Sequence, residues 1–266
     1  MRFSFVYYVW VFLFGLCFGS FFNVCIYRIP RKKSIVSPSS FCPGCDKPIR
    51  FYDNIPLISY FLLGGRCRGC KMQISLRYPN VELLTGILFL LLFQWFGLTP
   101  SFFIYSLLIS AFIIITFIDI DFQIIPDVIT LPLLGFGLVV SWIPDLTVHH
   151  WDSLIGALVG GGFLYFIAFL YWLVKKQEGM GGGDIKLMAM AGSFMGPLRV
   201  LLAIFLASFL GSVIGMLQLK LSGKGREHPI PFGPYLAVGS VISLFLGDKI
   251  IKVFFPSIFF NMFISF

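Results

Sequence analysis

From Val81 to Gly247 the chain is a ladder of apolar segments separated by short polar, Gly-bearing or Pro-bearing breaks. A helix of a soluble domain keeps a polar face toward water, and these segments have none. The segments fall at 81–96, 101–118, 128–144, 153–174, 186–197, 199–219 and 234–247. The breaks are GLTPS at 97–101, an Asp-rich turn at 119–127, DLTVHHWD at 145–152, KKQEGMGGGD at 175–184, GPLR at 196–199 and KLSGKGREHPIPFGP at 220–234. The segment 186–197 is short for a span, which needs about 20 residues to cross a hydrocarbon core of about 30 Å. It is either tilted or continuous with the glycine-rich stretch before it. The tail at 250–266, interrupted by Pro256, either extends the last helix or lies at the interface. An earlier apolar run, residues 3–27, follows the single basic Arg2. It is too long for the apolar core of a signal peptide and no small-x-small cleavage site follows, so it reads as a retained transmembrane helix. The expected fold is therefore an all-α polytopic membrane protein with about eight transmembrane helices. Composition agrees: 58% of the 266 residues are hydrophobic and 12% charged, against about 25% charged in soluble domains.

Residues 28–80 differ in kind, with Pro, Gly, Ser, four Cys and most of the charge. Ten of the 20 Lys and Arg lie between Arg28 and Arg77, against two acids, Asp46 and Asp53. This stretch alone accounts for the net charge of +8. A basic loop in a membrane protein reads as cytoplasmic, so membrane lipid is the expected surroundings and nucleic acid is not an expected partner. With eight helices and this module inside, only Arg2, Arg199, Lys249 and Lys252 fall on the outer side. The expected division is a first transmembrane helix at 1–27, a cytoplasmic module at 28–80 and a seven-helix membrane domain at 81–266. Within the module, Cys42-x-x-Cys45 and Cys67-x-x-Cys70 have the spacing of a four-thiolate tetrahedral zinc site. A stretch of about 50 residues makes a poor core without a staple, and cytoplasmic disulfides are disfavoured. Zinc there is expected to be structural, because four thiolates leave no position for water. Cys17 and Cys25, in the first helix, read as small apolar residues. No internal repeat stands out.

The acids carry the chemistry. Only 12 occur, and four fall in two clusters: Asp119, Asp121 and Asp127 in TFIDIDFQIIPD, and Asp184 in GMGGGDIK. Taken singly, Asp119 and Asp121 read as a polar helix end, and Asp127, after Pro126 and before a helix, as an N-cap. Both clusters, however, fall at the cytoplasmic end of the bundle. Two carboxylates that meet there can share one proton, since both cannot ionise at close range. One then serves as base toward a water and the other as acid toward a carbonyl, with no metal or nucleophile needed. Gly179, Gly181, Gly182 and Gly183 give the backbone conformations closed to other residues and let a peptide approach closely. The alternative is a proton-coupled transporter, which places its acids near the bilayer midplane; a membrane thiol oxidoreductase would place its CxxC pairs on the oxidising side. His149, His150 and His228 form no ligand set or triad.

Four ordered stretches resemble the prepilin peptidases, the type IV leader peptidases. Gly181-Gly182-Gly183-Asp184 looks like the G-x-G-D signature of intramembrane aspartyl proteases, within EGMGGGDIKLMAMAG at 178–192. IDIDFQIIPD at 118–127 resembles the family's first catalytic segment, GSFFNVCIYRIP at 19–30 its first-helix motif and PIPFGPY at 229–235 its last-helix motif. The resemblance implies an aspartic endopeptidase of the bacterial inner membrane with Asp119 and Asp184 as catalytic residues, supported by Gly181, Gly183 and Asp127. Those two acids are expected to face each other at the cytoplasmic side. It further implies prepilin or pseudopilin precursors as substrates, cut just after a Gly of the leader, and N-methylation of the new N-terminus with S-adenosylmethionine. No residues of a methyl-donor site can be read from the spacing.

Overall fold

The computed structural model describes residues 4–177, 179–222 and 231–254. All regular structure among them is helical, apart from two isolated β-bridges. Five helices are long and apolar enough to cross a membrane. The chain divides into two compact units, Met1–Ile118 and Asp119–Phe266.

In the first unit, α1 (Phe5–Arg28) packs along α3 (Arg77–Phe96). Small residues make the approach close. A Cβ on Gly15 would lie 2.8 Å from Gly86 Cα, and one on Gly19 2.6 Å from Glu82 Cα. This is the small-xxx-small pattern by which apolar helices associate where no hydrophobic drive exists. Asn23 ties the seam by donating to the Tyr78 carbonyl at 3.1 Å. Cys25 is buried in α1 and unpaired, as expected of a small apolar residue, while Cys17 faces outward. Between these helices lie a 3-10 turn at Phe51–Asn54 and the short α2 (Ile58–Leu62). Glu82 fixes the turn into α2 by accepting the Leu57 N–H at 2.8 Å. The helix α4 (Pro100–Phe122) begins in this unit, where Phe102 packs edge-on against Phe89 and Phe93.

The second unit contains the last turn of α4, then α5 (Asp127–Val140), α6 (His150–Lys175), α7 (Gly182–Met195), α8 (Pro197–Ser222) and α9 (Gly233–Phe254). The expected segments all appear, with ends shifted by a few residues. The short segment resolves in favour of continuity: α7 starts inside the glycine-rich stretch. At 14 residues it rises about 21 Å, too little to span alone. Its neighbours α5, α6, α8 and α9 surround it, and Leu187, Met188, Met190, Ala191 and Phe194 are all fully buried. Ser153 on α6 donates to the Ser193 carbonyl at 2.6 Å. Phe205 and Phe209 on α8 face outward, as lipid-facing residues do. The last helix absorbs the start of the apolar tail; residues 255–266 lie outside the described residues.

Candidate functional site: an acid pair and a cysteine cluster

The stretch read as an Asp-rich turn is partly helical. α4 runs through Asp119 and Asp121 to Phe122. Asp119 is only 5% exposed, and its Oδ2 accepts the N–H of Gly233 at 3.0 Å. That bond explains why the helix can carry the acid inward rather than end before it: a buried carboxylate is tolerated when a donor meets it. Gly233 opens α9, where backbone N–H groups have no helical partner. Asp184 lies in the first turn of α7 and is 9% exposed.

One side chain joins the two clusters. A Cβ on Gly183 would lie 2.7 Å from Ile125 Cβ, and one on Gly233 would lie 3.3 Å from Ile125 Cδ1 and 2.6 Å from Asp119 Oδ2. Ile125 therefore packs against both the neighbour of Asp184 and the residue that holds Asp119. The other two acids go elsewhere. Asp121 is exposed on α4, two positions from Asp119. Asp127 is the first residue of α5; Pro126 occupies the cap position, so the N-cap reading is corrected. The Asp127 carboxylate instead takes both oxygens to Lys186 Nζ at 2.8 Å, the lysine two residues after Asp184.

The glycines need correction as well. None of Gly179, Gly181, Gly182 or Gly183 has a positive φ. What they provide is space: Gly183 lets Ile125 close in, Gly179 lies against Tyr171, and nothing stands within 4 Å of the Cβ position of Gly182. Gly181 caps α7, with its Cβ position 3.9 Å from Asp184 Oδ2.

In the first unit the four expected cysteines converge. The Sγ atoms of Cys42, Cys45, Cys67 and Cys70 lie within 4.8 Å of one another, a set that can hold a metal ion. Two matching knuckles build it. In one, the Cys42 N–H donates to the Lys47 carbonyl at 3.0 Å and the Asp46 N–H to the Cys42 carbonyl at 2.8 Å. In the other, Cys67 N–H donates to Met72 at 2.8 Å and Lys71 N–H to Cys67 at 3.0 Å. Bridges Phe41–Pro48 and Arg66–Gln73 close the two loops, and the residue after each second cysteine, Asp46 or Lys71, has a positive φ. The module is thus a short internal repeat, Cys-Pro-Gly-Cys and Cys-Arg-Gly-Cys, where the sequence reading saw none. Its glycines permit the approach: a Cβ on Gly44 would lie 2.7 Å from Met72 Sδ. Backbone N–H groups of Cys70 and Gly69 hold the Cys67 thiol down at about 6. Burial pushes the Cys42 thiol up.

Five helices long and apolar enough to cross a membrane define a multi-pass membrane protein, whose first unit carries a four-cysteine cluster and whose second unit buries Asp119 and Asp184. Residues 13–96 match the bacterial peptidase A24 N-terminal domain and residues 106–216 the type IV leader peptidase family. The chain is 38% identical to the prepilin leader peptidase/N-methyltransferase of Pseudomonas aeruginosa over 91% of both chains. Proteins of the same name in Aeromonas hydrophila and Neisseria gonorrhoeae are each 36% identical, over 93% and 89% of both chains. The chain belongs to the type IV leader peptidase family. No solved structure matches it. Nothing in these likenesses supports the transporter alternative.

Sequence reasoning passed over three partners: Gly233, Ile125 and Lys186. The first two lie within motifs already quoted, PFGPY and FQIIPD, so their position was marked but not their contact. Lys186 was legible as the only base near Asp184, and its pairing with Asp127 was not, because 59 residues separate them.

Proposed function

We propose that this protein cleaves the leader of type IV prepilin-like precursors at the cytoplasmic border of the bacterial inner membrane, and then N-methylates the exposed amine. What supports the peptidase reading is Ile125, which packs against Gly183, the neighbour of Asp184, and against Gly233, whose N–H holds the buried Asp119. One carboxylate takes a proton from a water as that water attacks the scissile carbonyl carbon. The other, protonated, donates to the carbonyl oxygen. The tetrahedral adduct collapses with cleavage of the C–N bond, and the leaving amine takes up a proton. Gly233 fixes the direction of Asp119 through its N–H, and the open side of Gly182 leaves room for an extended substrate backbone.

The proposed arrangement has a first helix at 1–27, a tetracysteine module at 28–80 and a helical catalytic domain at 81–266. The concentration of basic residues in 28–80 and in the segments flanking both acids supports a cytoplasmic site. A substrate with a short basic leader ahead of a membrane helix would present its scissile bond at that border, and a family-typical cut follows a Gly. The cysteine cluster is proposed to hold a structural zinc ion: four thiolates are its usual donor set, and the Cys67 amide donors favour a thiolate. S-adenosylmethionine would supply a methyl group to the new N-terminal amine, which must first lose a proton.

Processing of a prepilin precursor in membranes carrying Asp119→Asn or Asp184→Asn, at matched expression, tests the dyad. Each variant alone is expected to abolish cleavage, and the double variant to be no worse, because the pair acts as a unit. Normal processing by Asp184→Asn would end the aspartyl reading.

A further inference from the structure

The 3-10 turn at Phe51–Asn54 and the helix α2 carry an uncovered apolar cluster. Phe51, Phe61 and Leu62 are 86%, 74% and 81% exposed, and Ile55 and Ile58 beside them are exposed as well. Ile58, Phe61 and Leu62 have the i, i+3, i+4 spacing of a single helix face. Ser59 points the other way: it is buried, accepts the Ile55 N–H at 3.0 Å and donates to the Tyr52 carbonyl at 2.8 Å. Turn and helix are thereby tied into one piece. An apolar patch of this kind marks an interaction surface.

Depth and charge identify what covers it. The helix α3 has 20 residues, about 30 Å, so crossing a hydrocarbon core takes its whole length. Glu82, five residues in from Arg77, lies about 7–8 Å inside the entry end. The Leu57 N–H at the start of α2 donates to that carboxylate at 2.8 Å. This pins α2 at the depth where interfacial helices bury their apolar faces, about 5–10 Å into the boundary of headgroups and acyl chains. Leu57 has a φ of 59°, uncommon for a bulky side chain, and the bond to Glu82 holds that kink. Arg28 closes α1 and Arg77 opens α3, two helices packed along each other, so the module between them is tethered at both ends to one membrane face. From Lys47 to Arg77 the chain carries six basic residues and one acid, Asp53, which Arg68 binds through both carboxylate oxygens. Apolar residues flanked by such a basic excess match an anionic lipid surface.

We propose that the 3-10 turn and α2 form an interfacial foot of the cysteine module. Phe51, Ile58, Phe61 and Leu62 enter the acyl boundary of the adjoining leaflet, and Arg50 and Arg66 meet its anionic phosphate headgroups. The partner is the bilayer itself, not a second protein. In the chain the foot lies between the two Cys-x-x-Cys knuckles, and Gly64 and Gly65, both at positive φ, turn its end directly into the second. The module is therefore held to the membrane through α2 as well as through its two linkers.

The test uses full-length protein in nanodiscs of phosphatidylethanolamine and phosphatidylglycerol. A tracer phospholipid carries a photoactivatable diazirine near the carbonyl end of its acyl chain, and crosslinks are mapped by peptide. Residues 51–62 are expected to take label at a yield comparable to Phe18 and Phe21, which are exposed on α1. A phosphatidylglycerol tracer is expected to label 51–62 severalfold more than a phosphatidylcholine tracer in the same bilayer, while α1 takes both alike. Phe61→Ser combined with Leu62→Ser is expected to cut the label on 51–62 by about tenfold or more and to leave that on α1 unchanged. Melting in detergent reports on the fold, and Leu62→Ser alone replaces the double variant if that one melts early. Label confined to α1 and α3 would overturn the foot. So would label on 51–62 that an equimolar prepilin precursor displaces, or that is lost when each nanodisc holds two copies of the chain, since the patch would then belong to those partners. Equal labelling by the two tracers would overturn the role of Arg50 and Arg66.

Discussion

Gly233 shows how a single missing methyl group can set the direction of a buried carboxylate. Its N–H reaches Asp119 at 3.0 Å, and a Cβ there would sit 2.6 Å from the same oxygen. The backbone at this position does not need glycine, since its φ is not positive; the acid does. Gly233→Ala is therefore expected to push Asp119 off its donor and lower the processing rate by about tenfold or more, in keeping with the loss of a charge-assisted hydrogen bond of about 1.5–3 kcal/mol. Wild-type cleavage rates in Gly233→Ala would remove Gly233 from the positioning role. The Asp127–Lys186 pair is a contrasting case. Both side chains are about half exposed, at 54% and 41%, and exposed pairs contribute about 0–1 kcal/mol. Asp127→Asn and Lys186→Met are each expected to leave processing within a few-fold of wild type, with the double variant close to either single. A loss as deep as that of Asp184→Asn would place the pair inside the chemistry.

The element that positions Asp184 is α7, and it can be short because other helices enclose it. Backbone carbonyls do not meet lipid there, which is what a membrane demands of a helix that does not span. The contact with α6 is close: a Cβ on Gly156 would run into the Gly192 carbonyl, and one on Gly160 into the Met188 carbonyl. Neither can be relieved by a side-chain rotation, since both obstacles are main chain. Gly160→Ala or Gly192→Ala is thus expected to cost about 1–3 kcal/mol through overpacking, seen as a lower melting temperature in detergent, and to tilt α7 enough to reduce cleavage. An unchanged melting temperature would show that the seam has slack. At this scale the sequence was informative about existence and poor about edges. Apolar runs marked every long helix, since a hydrocarbon core admits little else. Boundaries at 119–127 and 182–186 could not be placed, because the polar residues that looked like breaks are held inside helices by partners far along the chain. Asp119 needs Gly233, and no local pattern announces that. The same limit hid Glu82, which read as part of an apolar segment until its bond to Leu57 showed it holding α2.

Taken whole, the molecule joins two kinds of stability. The second unit rests on helices packed against helices, whereas the stretch between α1 and α3 has a 3-10 turn, one five-residue helix and two isolated bridges. So little regular structure seldom supplies more than about 3–5 kcal/mol by itself. A structural zinc ion bound by four thiolates contributes an apparent free energy of about 10–16 kcal/mol in small zinc-finger peptides, which exceeds that margin. The matching knuckles bring all four Sγ atoms within 4.8 Å without any disulfide, and the amides aimed at Cys67 lower the cost of ionising it. The fold of the module is therefore expected to depend on the metal, and the fold of the second unit is not. Purified protein should carry close to one zinc per chain, with all four thiols slow to react with a thiol reagent. Stripping the metal with a strong chelator should free those thiols and open residues 28–77 to trypsin at their basic residues, Lys47 excepted because Pro48 follows it, while the helices from α5 to α9 stay protected. Cys70→Ser should reproduce that digestion pattern without chelator. Rapid thiol reaction in untreated protein, or a tryptic pattern that chelation leaves unchanged, would show that the module folds without its metal and that the cysteines serve another purpose.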